Sequence, residues 1–492
     1  MTETAKKKRG MPSSFTILVA LLAIVAVITV IVSGTSGGAV TAARLSDFCT
    51  APILGFADAL PVCLFVMILG GFLGMMTETG ALDNGIAVLV QKLKGNEIML
   101  VPVLMLIFSL GGTTYGMCEE TVPFYALLAA TMMAAGFDPM VGAATVLLGA
   151  GCGCLGSTVN PFAVGAAVDA LTGVGIEVNQ SIIIGLGAVL WIVTTAMSIV
   201  FVMNYAKKVK ADKGSTILSM QELKDAEEAH GKAASEVHKE VKLTGRQKGV
   251  LIAFAFTFVV MIVGFIPLAD LNEGVANFFD AGAVYDADGN AVVQGWSALI
   301  TGLPIGQWYF DEASTWFFLM AVLIGIIGGL SEKQIVNTFI TGAADMMSVV
   351  LVIALARGIS VLMANTGLDV FVLDAAANAL AGLSGVIFAP MSFLVYFGLS
   401  FLIPSTSGMA TVSMPIMGPL AVKLGFSPEV MVMIFSAAIG VVNLFTPTSG
   451  AIMGGLALAK IEWTTWLKFA LKLIVALSVV CAVILTVACV LL

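Results

Sequence analysis

Two adjacent carboxylates, Glu119 and Glu120, lie within a long apolar region, beside a cluster of hydroxyl residues and glycines. A charged side chain at membrane depth costs about 2.5–3.5 kcal/mol on insertion scales, so such groups are rare there and are candidates for a functional site. Arg357 also lies deep within an apolar run. Because a guanidinium keeps its charge, it needs an anionic partner. Either a substrate carboxylate gripped by two hydrogen bonds or an ion pair with one of the two glutamates would supply that partner.

The acidic stretch has a counterpart in the second half of the chain. Residues 113–123 correspond to residues 405–415, with glycine, methionine and proline at matching places. Residues 157–161 correspond to residues 446–450 at an offset of 289, and the Thr-Gly pair at 79 recurs at 366, an offset of 287. Three blocks at nearly one offset indicate an internal duplication, which is typical of transporters. Simple recurrence of small residues in packed helices is the alternative, but it does not explain the shared order and spacing.

The composition is that of a membrane protein. Of the 492 residues, 59% are hydrophobic and only 11% are charged, whereas a soluble domain has about 25% charged residues. Continuous apolar runs predict an all-α polytopic protein rather than a barrel, whose strands would alternate. The seven cysteines are odd in number and no disulfide framework is expected. No zinc motif, phosphate-binding glycine loop or hydrolase triad occurs, and no basic stripe, so neither an enzyme, a cofactor nor a nucleic-acid partner is expected.

Charge distribution predicts which segments are cytoplasmic. Four basic residues at 6–9 precede the apolar run Ser14 to Ser33, so the N-terminus is expected in the cytoplasm and the run is expected to be an uncleaved first helix, with a signal peptide as the alternative. Residues 206–248 contain ten of the 23 lysines and arginines and form a hydrophilic linker. The linker is therefore expected to be cytoplasmic, with a surface helix at about 216–240. A bacterial cytoplasmic membrane is the predicted location.

Five segments are expected, and two of them are repeats. Residues 1–58 would form the first helix and an outer segment, and residues 249–344 would form scaffold spans with an acidic outer loop. Repeat 1 (59–205) and repeat 2 (345–492, with the last helix) would flank the linker and scaffold. Each would hold a re-entrant hairpin, at about 98–135 and 386–425, followed by a broken helix, at about 139–173 and 428–459. Two ordinary crossings are the alternative to a hairpin.

The first hairpin is expected to turn at residues 111–114, and a short inner helix is expected at 80–96. Counting crossings makes the two hairpins enter from opposite sides of the membrane, so the repeats are expected to be inverted. Irregular backbone at that depth must line a cavity or be buried in protein. The four polar breaks are therefore expected to meet near the middle of the membrane.

These breaks supply the candidate site residues. Helix N-termini suit carboxylates, and loop carbonyls and hydroxyls suit sodium. The candidate substrate-binding residues are Thr113, Thr114, Glu119, Glu120, Asn160, Arg357, Ser405, Thr406, Ser407, Asn443 and Thr448, and the candidate sodium ligands are Ser157, Thr158 and Thr446. The glutamates would hold a cationic amine, sodium or a proton, since the coupling ion is left open between sodium and proton.

The sequence resembles the C4-dicarboxylate anaerobic carrier family of the ion transporter superfamily, and within it the branch named for basic amino acid antiport. The resemblance covers nearly the whole chain and is strongest at residues 116–125, 156–162 and 446–450. It implies a scaffold domain plus a transport domain, a homodimer and an elevator-like motion. It also implies arginine–ornithine exchange for the branch and dicarboxylates for others of the family. The superfamily's serine-asparagine-threonine hairpin signature is replaced here by residues 113–115 and 405–407.

The predicted function is secondary active transport of a small solute that carries a carboxylate, with amino acids as the preferred substrate class. A sodium- or proton-coupled C4-dicarboxylate carrier is the first alternative. A passive channel is an alternative of another class, and two inverted hairpins suit alternating access better than an open pore.

Overall fold

A computed structural model describes residues 14–82, 84–85, 88, 96–236, 242–266, 268–286, 291–403 and 405–492. The basic residues 6–9, most of the expected inner helix at 80–96 and Pro404 lie outside the described residues. The helices are α1 Ser14–Ser33, α2 Leu45–Asp58, α3 Leu60–Glu78, α4 Leu100–Tyr115, α5 Val122–Ala134, α6 Pro139–Leu155, α7 Ala166–Thr172, α8 Gln180–Ala211, α9 Met220–Glu236, α10 Gly245–Phe265, α11 Leu268–Leu271, α12 Glu273–Phe279, α13 Phe310–Gly328, α14 Glu332–Asp345, α15 Met347–Thr366, α16 Leu368–Leu380, α17 Gly385–Leu402, α18 Thr406–Lys423, α19 Pro428–Val442, α20 Gly450–Leu458 and α21 Trp463–Leu491.

The remaining regular structure is short. Single turns of 3₁₀-helix cover Glu97–Met99, Glu119–Thr121 and Lys213–Ser215, and a π-helix covers Pro161–Gly165 just before α7. Strands β1 Val284–Tyr285 and β2 Ala291–Val293 form an antiparallel ribbon between α12 and α13. Eight helices within the described ranges are long and apolar enough to cross a membrane: α1, α3, α4 with its preceding turn, α8, α10, α13, α15 and α21. The prediction of an all-α polytopic membrane protein is confirmed.

The internal duplication extends to whole helices. Adding 287 to the bounds of α2 (45–58) gives the bounds of α14 (332–345), and adding 289 to the first residue of α6 gives the first residue of α19. The pair α2–α3 therefore corresponds to the pair α14–α15. This correspondence favours repeat starts near residues 45 and 332, about one helix earlier in each case than the motif blocks alone indicated.

Contacts between the repeats show that a pseudo-two-fold axis relates them. The Cys63 thiol donates to the Val350 carbonyl at 3.8 Å, and these positions are 287 residues apart, so equivalent residues touch each other. Where α6 crosses α19, Gly151 faces Leu444 and Leu155 faces Gly440. An offset of 289 exchanges these two contacts, as expected for a two-fold interface. In inverted repeats this axis lies in the membrane plane, so the crossing points mark the middle of the protein.

Glycines allow the long helices to cross with their backbones in contact. A Cβ atom on Gly55 of α2 would lie 2.3 Å from the Gly358 nitrogen of α15. At the equivalent crossing, a Cβ atom on Gly342 of α14 would lie 2.4 Å from the Gly70 carbonyl oxygen of α3. Small residues at helix interfaces are the usual means of close approach in membranes, where burial of apolar surface gives no driving force.

The helices form two groups. The scaffold comprises α1–α3, α10 and α13–α15, and a cluster of phenylalanines packs in its interior, with Phe72 and Phe317 centroids 4.9 Å apart. The transport group comprises α4–α8 and α17–α21, in which α4 packs along α6 and α17 along α19. This division corresponds to the expected scaffold and transport domains. The cavity described below lies between the two groups.

The expected break in the first hairpin is wrong in position. Helix α4 continues through residues 111–114 and ends only at the next turn, where Gly116 has φ +80°. The two glycines serve packing instead: a Cβ atom on Gly112 would lie 2.2 Å from the Ala150 carbonyl oxygen of α6, and one on Gly111 would lie 3.0 Å from the Met117 sulfur of the following turn. The chain therefore turns at residues 116–121, and this places the two glutamates at the tip of the hairpin.

Within the linker, the expected surface helix forms as α9 and docks on the transport group. The Glu222 carboxylate accepts hydrogen bonds from the Ser219 and Glu462 amides at 2.7 and 2.9 Å, and the second of these is at the start of α21. His230 Nε2 lies 3.0 Å from the Leu458 carbonyl oxygen at the end of α20, so the ring donates this bond. Burial lowers the pKa of His230, which favours the neutral ring in the docked helix.

We expect Gly55→Ala to destabilise the protein, because the added methyl would overlap the Gly358 backbone, and overpacking of a core costs about 1–3 kcal/mol. The measurement is the thermal unfolding midpoint of purified protein in detergent. Gly398→Ala is the matched control, since a Cβ atom there meets nothing within 4 Å. An equal or higher midpoint for Gly55→Ala would contradict the close crossing.

We expect the docking of α9 to weaken in acid. A free histidine titrates near pH 6.5, and the docked His230 has a lower pKa. The undocked chain then binds more protons, so this contribution to stability is present above about pH 6.5 and is lost as the pH falls. The wild type should therefore lose more of its thermal midpoint between neutral and acidic pH than His230→Gln does. Equal losses in the two proteins would contradict this role.

Candidate functional site

A cavity of about 420 Å³ lies between the scaffold and the transport group. The scaffold contributes the α2–α3 junction, the start of α13 and the middle of α15. The transport group contributes both hairpin tips and both helix breaks. The polar and ionisable residues that line the cavity are Asp58, Cys118, Glu119, Glu120, Thr121, Tyr125, Cys154, Asn160, Asp169, Tyr309, Arg357, Ser405, Thr406, Ser407, Asn443, Thr448 and Ser449.

The tip of the first hairpin presents both glutamates to the cavity, but in different ways. Glu120 is 2% exposed, and its Oε2 accepts the Cys118 amide hydrogen at 2.9 Å. This bond ties Glu120 to the backbone of its own turn. Glu119 is less buried and lies within electrostatic range of Arg357. Glu119 is therefore the carboxylate better placed to meet a solute.

Helix α4 holds the break in the first broken helix through one residue. The Thr113 hydroxyl donates to the Gly156 carbonyl at 2.6 Å, and the Thr113 carbonyl accepts both the amide and the hydroxyl hydrogen of Thr158, at 2.9 and 3.0 Å. These bonds satisfy backbone groups that the interrupted helix leaves without partners. Thr113 thus supports the site from behind rather than facing the cavity.

Asn160 begins the second half of this broken helix. Its side-chain oxygen accepts the Phe162 amide hydrogen at 2.9 Å, which caps the helix start, and its amide group donates to the Ser157 hydroxyl at 2.9 Å. The hairpin tip packs directly on this amide, since a Cβ atom on Gly116 would lie 2.5 Å from the Asn160 side-chain oxygen. Asn160 therefore sets the position of the hairpin tip as well as lining the cavity.

In the second repeat, Ser405 caps α18 by accepting the Gly408 amide hydrogen at 3.1 Å. The break before α20 is supported by two indoles of α21: Trp463 donates to the Phe445 carbonyl at 2.7 Å and Trp466 to the Leu444 carbonyl at 2.9 Å. The freed carbonyls in this repeat are therefore used by protein donors. The helix starts at Ser405 and Ser449 remain directed to the cavity region.

Arg357 has a partner that the sequence analysis did not consider. Its Nε lies 2.5 Å from Asp58 Oδ2 at the end of α2. Nε has no acceptor in hydrogen-bond geometry, so the contact is an ion pair without an aligned hydrogen bond. The sequence held one signal for Asp58: it is a lone carboxylate after an apolar stretch, 287 residues before Asp345.

The cavity brings together most of the predicted substrate residues. Glu119, Glu120, Asn160, Arg357, Ser405, Thr406, Ser407, Asn443 and Thr448 line it. Thr113 and Thr114 do not, and the Thr114 hydroxyl donates to the Leu110 carbonyl of its own helix at 2.7 Å. The candidate sodium ligands Ser157, Thr158 and Thr446 also lie behind the lining, where their hydroxyls bond to Cys154, Thr113 and Thr448. Cavity residues that the sequence analysis missed include Asp58, Phe162, Asp169, Tyr309 and Phe310.

We expect Gly116→Ala to abolish most transport, because the methyl would displace the Asn160 amide and with it the hairpin tip. A left-handed backbone adds a cost of about 1–2 kcal/mol for any residue with a Cβ atom. Gly136→Ala isolates that cost, since Gly136 has φ +86° and a Cβ atom there meets nothing within 4 Å. The comparison of uptake rates in proteoliposomes tests the contact, and equal loss in both variants would contradict it.

Two solved structures share the overall extent of this chain at low similarity. MtrF of Neisseria gonorrhoeae, described as illuminating a class of antimetabolite efflux pumps, is 16% identical with a TM-score of 0.44, covering 98% of this chain and 96% of its own. The YdaH transporter of Alcanivorax borkumensis is 15% identical with a TM-score of 0.47, covering 97% and 98%. Both are distant from this chain in sequence.

Sequence relatives are closer. An uncharacterised Haemophilus influenzae protein is 29% identical over 445 residues, which is 90% of this chain and 78% of the relative. YfcC of Escherichia coli K12, whose printed name proposes a basic amino acid antiporter, is 27% identical over 440 residues, which is 87% of this chain and 77% of the relative. The family description C4-dicarboxylate anaerobic carrier matches residues 39–490. The chain therefore belongs to the C4-dicarboxylate anaerobic carrier family, a family of membrane transporters rather than of enzymes.

Proposed function

We propose that this protein is a secondary active transporter that exchanges amino acids with a cationic side chain, of the arginine or ornithine kind. One observation carries the choice of substrate: among the residues that the structure describes, the cavity is lined by four carboxyl groups, Asp58, Glu119, Glu120 and Asp169, and by one guanidinium, Arg357. An excess of carboxylates favours a solute with net positive charge over a dianion. The printed name of YfcC supports the same class of solute.

The α-carboxylate of the solute would lie between Arg357 and the tip of the second hairpin. A Cβ atom on Gly408 would be 3.9 Å from Arg357 Nη1, so the guanidinium lies close to the first turn of α18. This helix has 18 residues, and its first turn offers backbone amides and the hydroxyls of Thr406 and Ser407 to the cavity. A guanidinium and a helix N-terminus together suit a carboxylate.

The cationic end of the solute would meet Glu119. This carboxylate is at the tip of the other hairpin and is more exposed than Glu120, whose Oε2 accepts the Cys118 amide hydrogen. The amides of Asn160 and Asn443 both line the cavity and can donate and accept, so they suit the polar groups between the two ends. Both hairpins would then contact one molecule.

The two-group architecture supports an elevator-type motion. The transport group contributes both hairpin tips and both helix breaks, while the scaffold contributes Asp58, Arg357 and the start of α13. Movement of the first group along the second would expose the cavity to alternate sides, as rigid-body motion of one unit against another does in repeat-built transporters. A homodimer in the bacterial cytoplasmic membrane, with a cytoplasmic N-terminus, is part of this proposal.

A C4-dicarboxylate carrier is the second candidate, favoured by the guanidinium and the two helix starts at Ser405 and Ser449. In that case the acidic residues would hold a coupling proton or sodium ion. The hydroxyls of Ser157 and Thr158 already donate to backbone carbonyls, and the Thr446 hydroxyl is hydrogen-bonded to that of Thr448. A sodium ion there would therefore be bound by the remaining lone pairs of these hydroxyl oxygens.

Counterflow into proteoliposomes tests the proposal. Vesicles are preloaded with unlabelled arginine, ornithine, malate or succinate, and uptake of the labelled solute is followed with sodium and proton gradients set separately. Acceleration by an internal basic amino acid is the expected result. Acceleration only by internal dicarboxylate would overturn the amino acid assignment, and saturable uptake without any counterflow would contradict exchange. A passive channel would show no counterflow.

We expect Glu119→Gln to raise the half-saturation concentration for the basic amino acid about tenfold or more, because a hydrogen bond to a charged group contributes about 1.5–3 kcal/mol. The measurement is concentration-dependent exchange by the purified variant. Glu177→Gln is the control, since Glu177 is exposed in the loop after α7 and does not line the cavity. Unchanged affinity in Glu119→Gln would remove this residue from the site.

A further inference from the structure

The ion pair between Asp58 and Arg357 joins the two repeats in the lining of the cavity, where the Asp58 side chain is 51% exposed and that of Arg357 25%. Asp58 ends α2 in the first repeat and Arg357 lies in α15 of the second. Asp58 comes three residues after Gly55, and Arg357 comes one residue before Gly358. Gly55 and Gly358 mark the crossing at which the two helix backbones touch. The backbone contact makes this crossing rigid, so Asp58 meets the guanidinium at a defined place.

The equivalent crossing in the other half of the protein is built without such a pair. The offset of 287 places Asp345 at the position of Asp58 and Gly70 at the position of Arg357. Gly342 and Gly70 nevertheless bring α14 and α3 into backbone contact there. A close crossing of these helices therefore does not require the arginine, and the aspartate of the equivalent crossing has no arginine opposite it. The pair is present only where the crossing lines the cavity, which points to a role in the site rather than in the fold.

The geometry of the pair leaves part of the guanidinium for a ligand. The contact between Asp58 and the guanidinium is made at Nε, 2.5 Å from Oδ2. Nη1 lies beside the first turn of α18, 3.9 Å from the place of a Cβ atom on Gly408. Arginine binds a carboxylate best with two nitrogens in a planar fork. When Asp58 holds the guanidinium at Nε, the edge formed by Nη1 and Nη2 is the pair of nitrogens that can bind a carboxylate of the solute.

We propose that Asp58 is a positioning residue that orients Arg357 for the carboxylate of the solute, and that it does not itself bind the solute. This inference rests on the proposed function, because it takes the carboxylate as the group that Arg357 recognises. In this inference Asp58 contributes to specificity for solutes that carry a carboxylate, and Glu119 binds their cationic end.

The test uses the full-length chain in proteoliposomes with Asp58→Asn, Asp58→Glu and Asp345→Asn. Asp345 is the matched control, since it is the equivalent acid of the other repeat and does not line the cavity. We expect Asp58→Asn to raise the half-saturation concentration for arginine or ornithine roughly tenfold, as loss of one hydrogen bond between Arg357 and the solute carboxylate would, with a maximal rate near that of the wild type. Asp58→Glu should recover part of the affinity, and Asp345→Asn should match the wild type.

Two readouts separate positioning from other roles. Inhibition by agmatine, which lacks the carboxylate, should be the same in Asp58→Asn as in the wild type. Once Arg357→Lys is present, adding Asp58→Asn should change affinity little, because an ammonium needs no planar orientation. An equal loss of affinity for arginine and agmatine would instead make Asp58 a direct ligand of the cationic group and would overturn the inference. Additive effects of the two substitutions in the double variant would also overturn it, and so would an unchanged affinity in Asp58→Asn.

Failure of this inference differs from failure of the proposed function. If the wild type exchanges dicarboxylates and not basic amino acids, the proposed substrate is wrong. The same variants then test the orientation of Arg357 through the half-saturation concentration for succinate. The thermal midpoint of each purified variant is measured alongside, so that a loss of affinity in a protein as stable as the wild type is assigned to the site.

Discussion

Backbone amides and carbonyls without partners cost several kcal/mol each inside a bilayer, and this chain interrupts its helices there. The structure of the site follows from how each interruption is satisfied. In the first repeat Thr113 supplies donor and acceptor to the break from the neighbouring helix. In the second repeat Trp463 and Trp466 supply indole donors. What remains after these bonds is a set of helix starts that face one cavity.

The duplication builds this arrangement twice, and the differences between the copies give the cavity its chemistry. Helices α2 and α14 have the same length and cross their partners at glycines. The first hairpin tip carries Glu119 and Glu120, whereas the second carries the hydroxyls at 405–407. Arg357 occupies a place that is glycine in the other repeat. A symmetric frame therefore holds an asymmetric cavity, with two carboxyl groups on the tip of the first hairpin and a guanidinium from the second repeat.

Much of the cavity lining could be predicted from the residue types and their order. The acidic pair, the hairpin residues 405–407, Asn160, Asn443 and Arg357 were recognisable because polar groups are costly in apolar runs and because the repeats align. Positions that depend on helix packing were not recognisable. Residues 111–114 look like a break but form helix, since Gly112 is needed for contact with α6 and the turn occurs only at Gly116.

The sequence by itself determined the membrane-spanning helical class, the duplication and the family, because hydropathy, spacing and motifs are properties of the chain that need no coordinates. Only the tertiary structure decided which polar groups share the cavity and which support it from behind. The Thr158 hydroxyl donates a hydrogen bond to the Thr113 carbonyl of a different helix. Asp58 and Arg357 form an ion pair although 299 positions separate them in the sequence. Such pairings arise from helix crossings between repeats, and the distance along the chain carries no information about them.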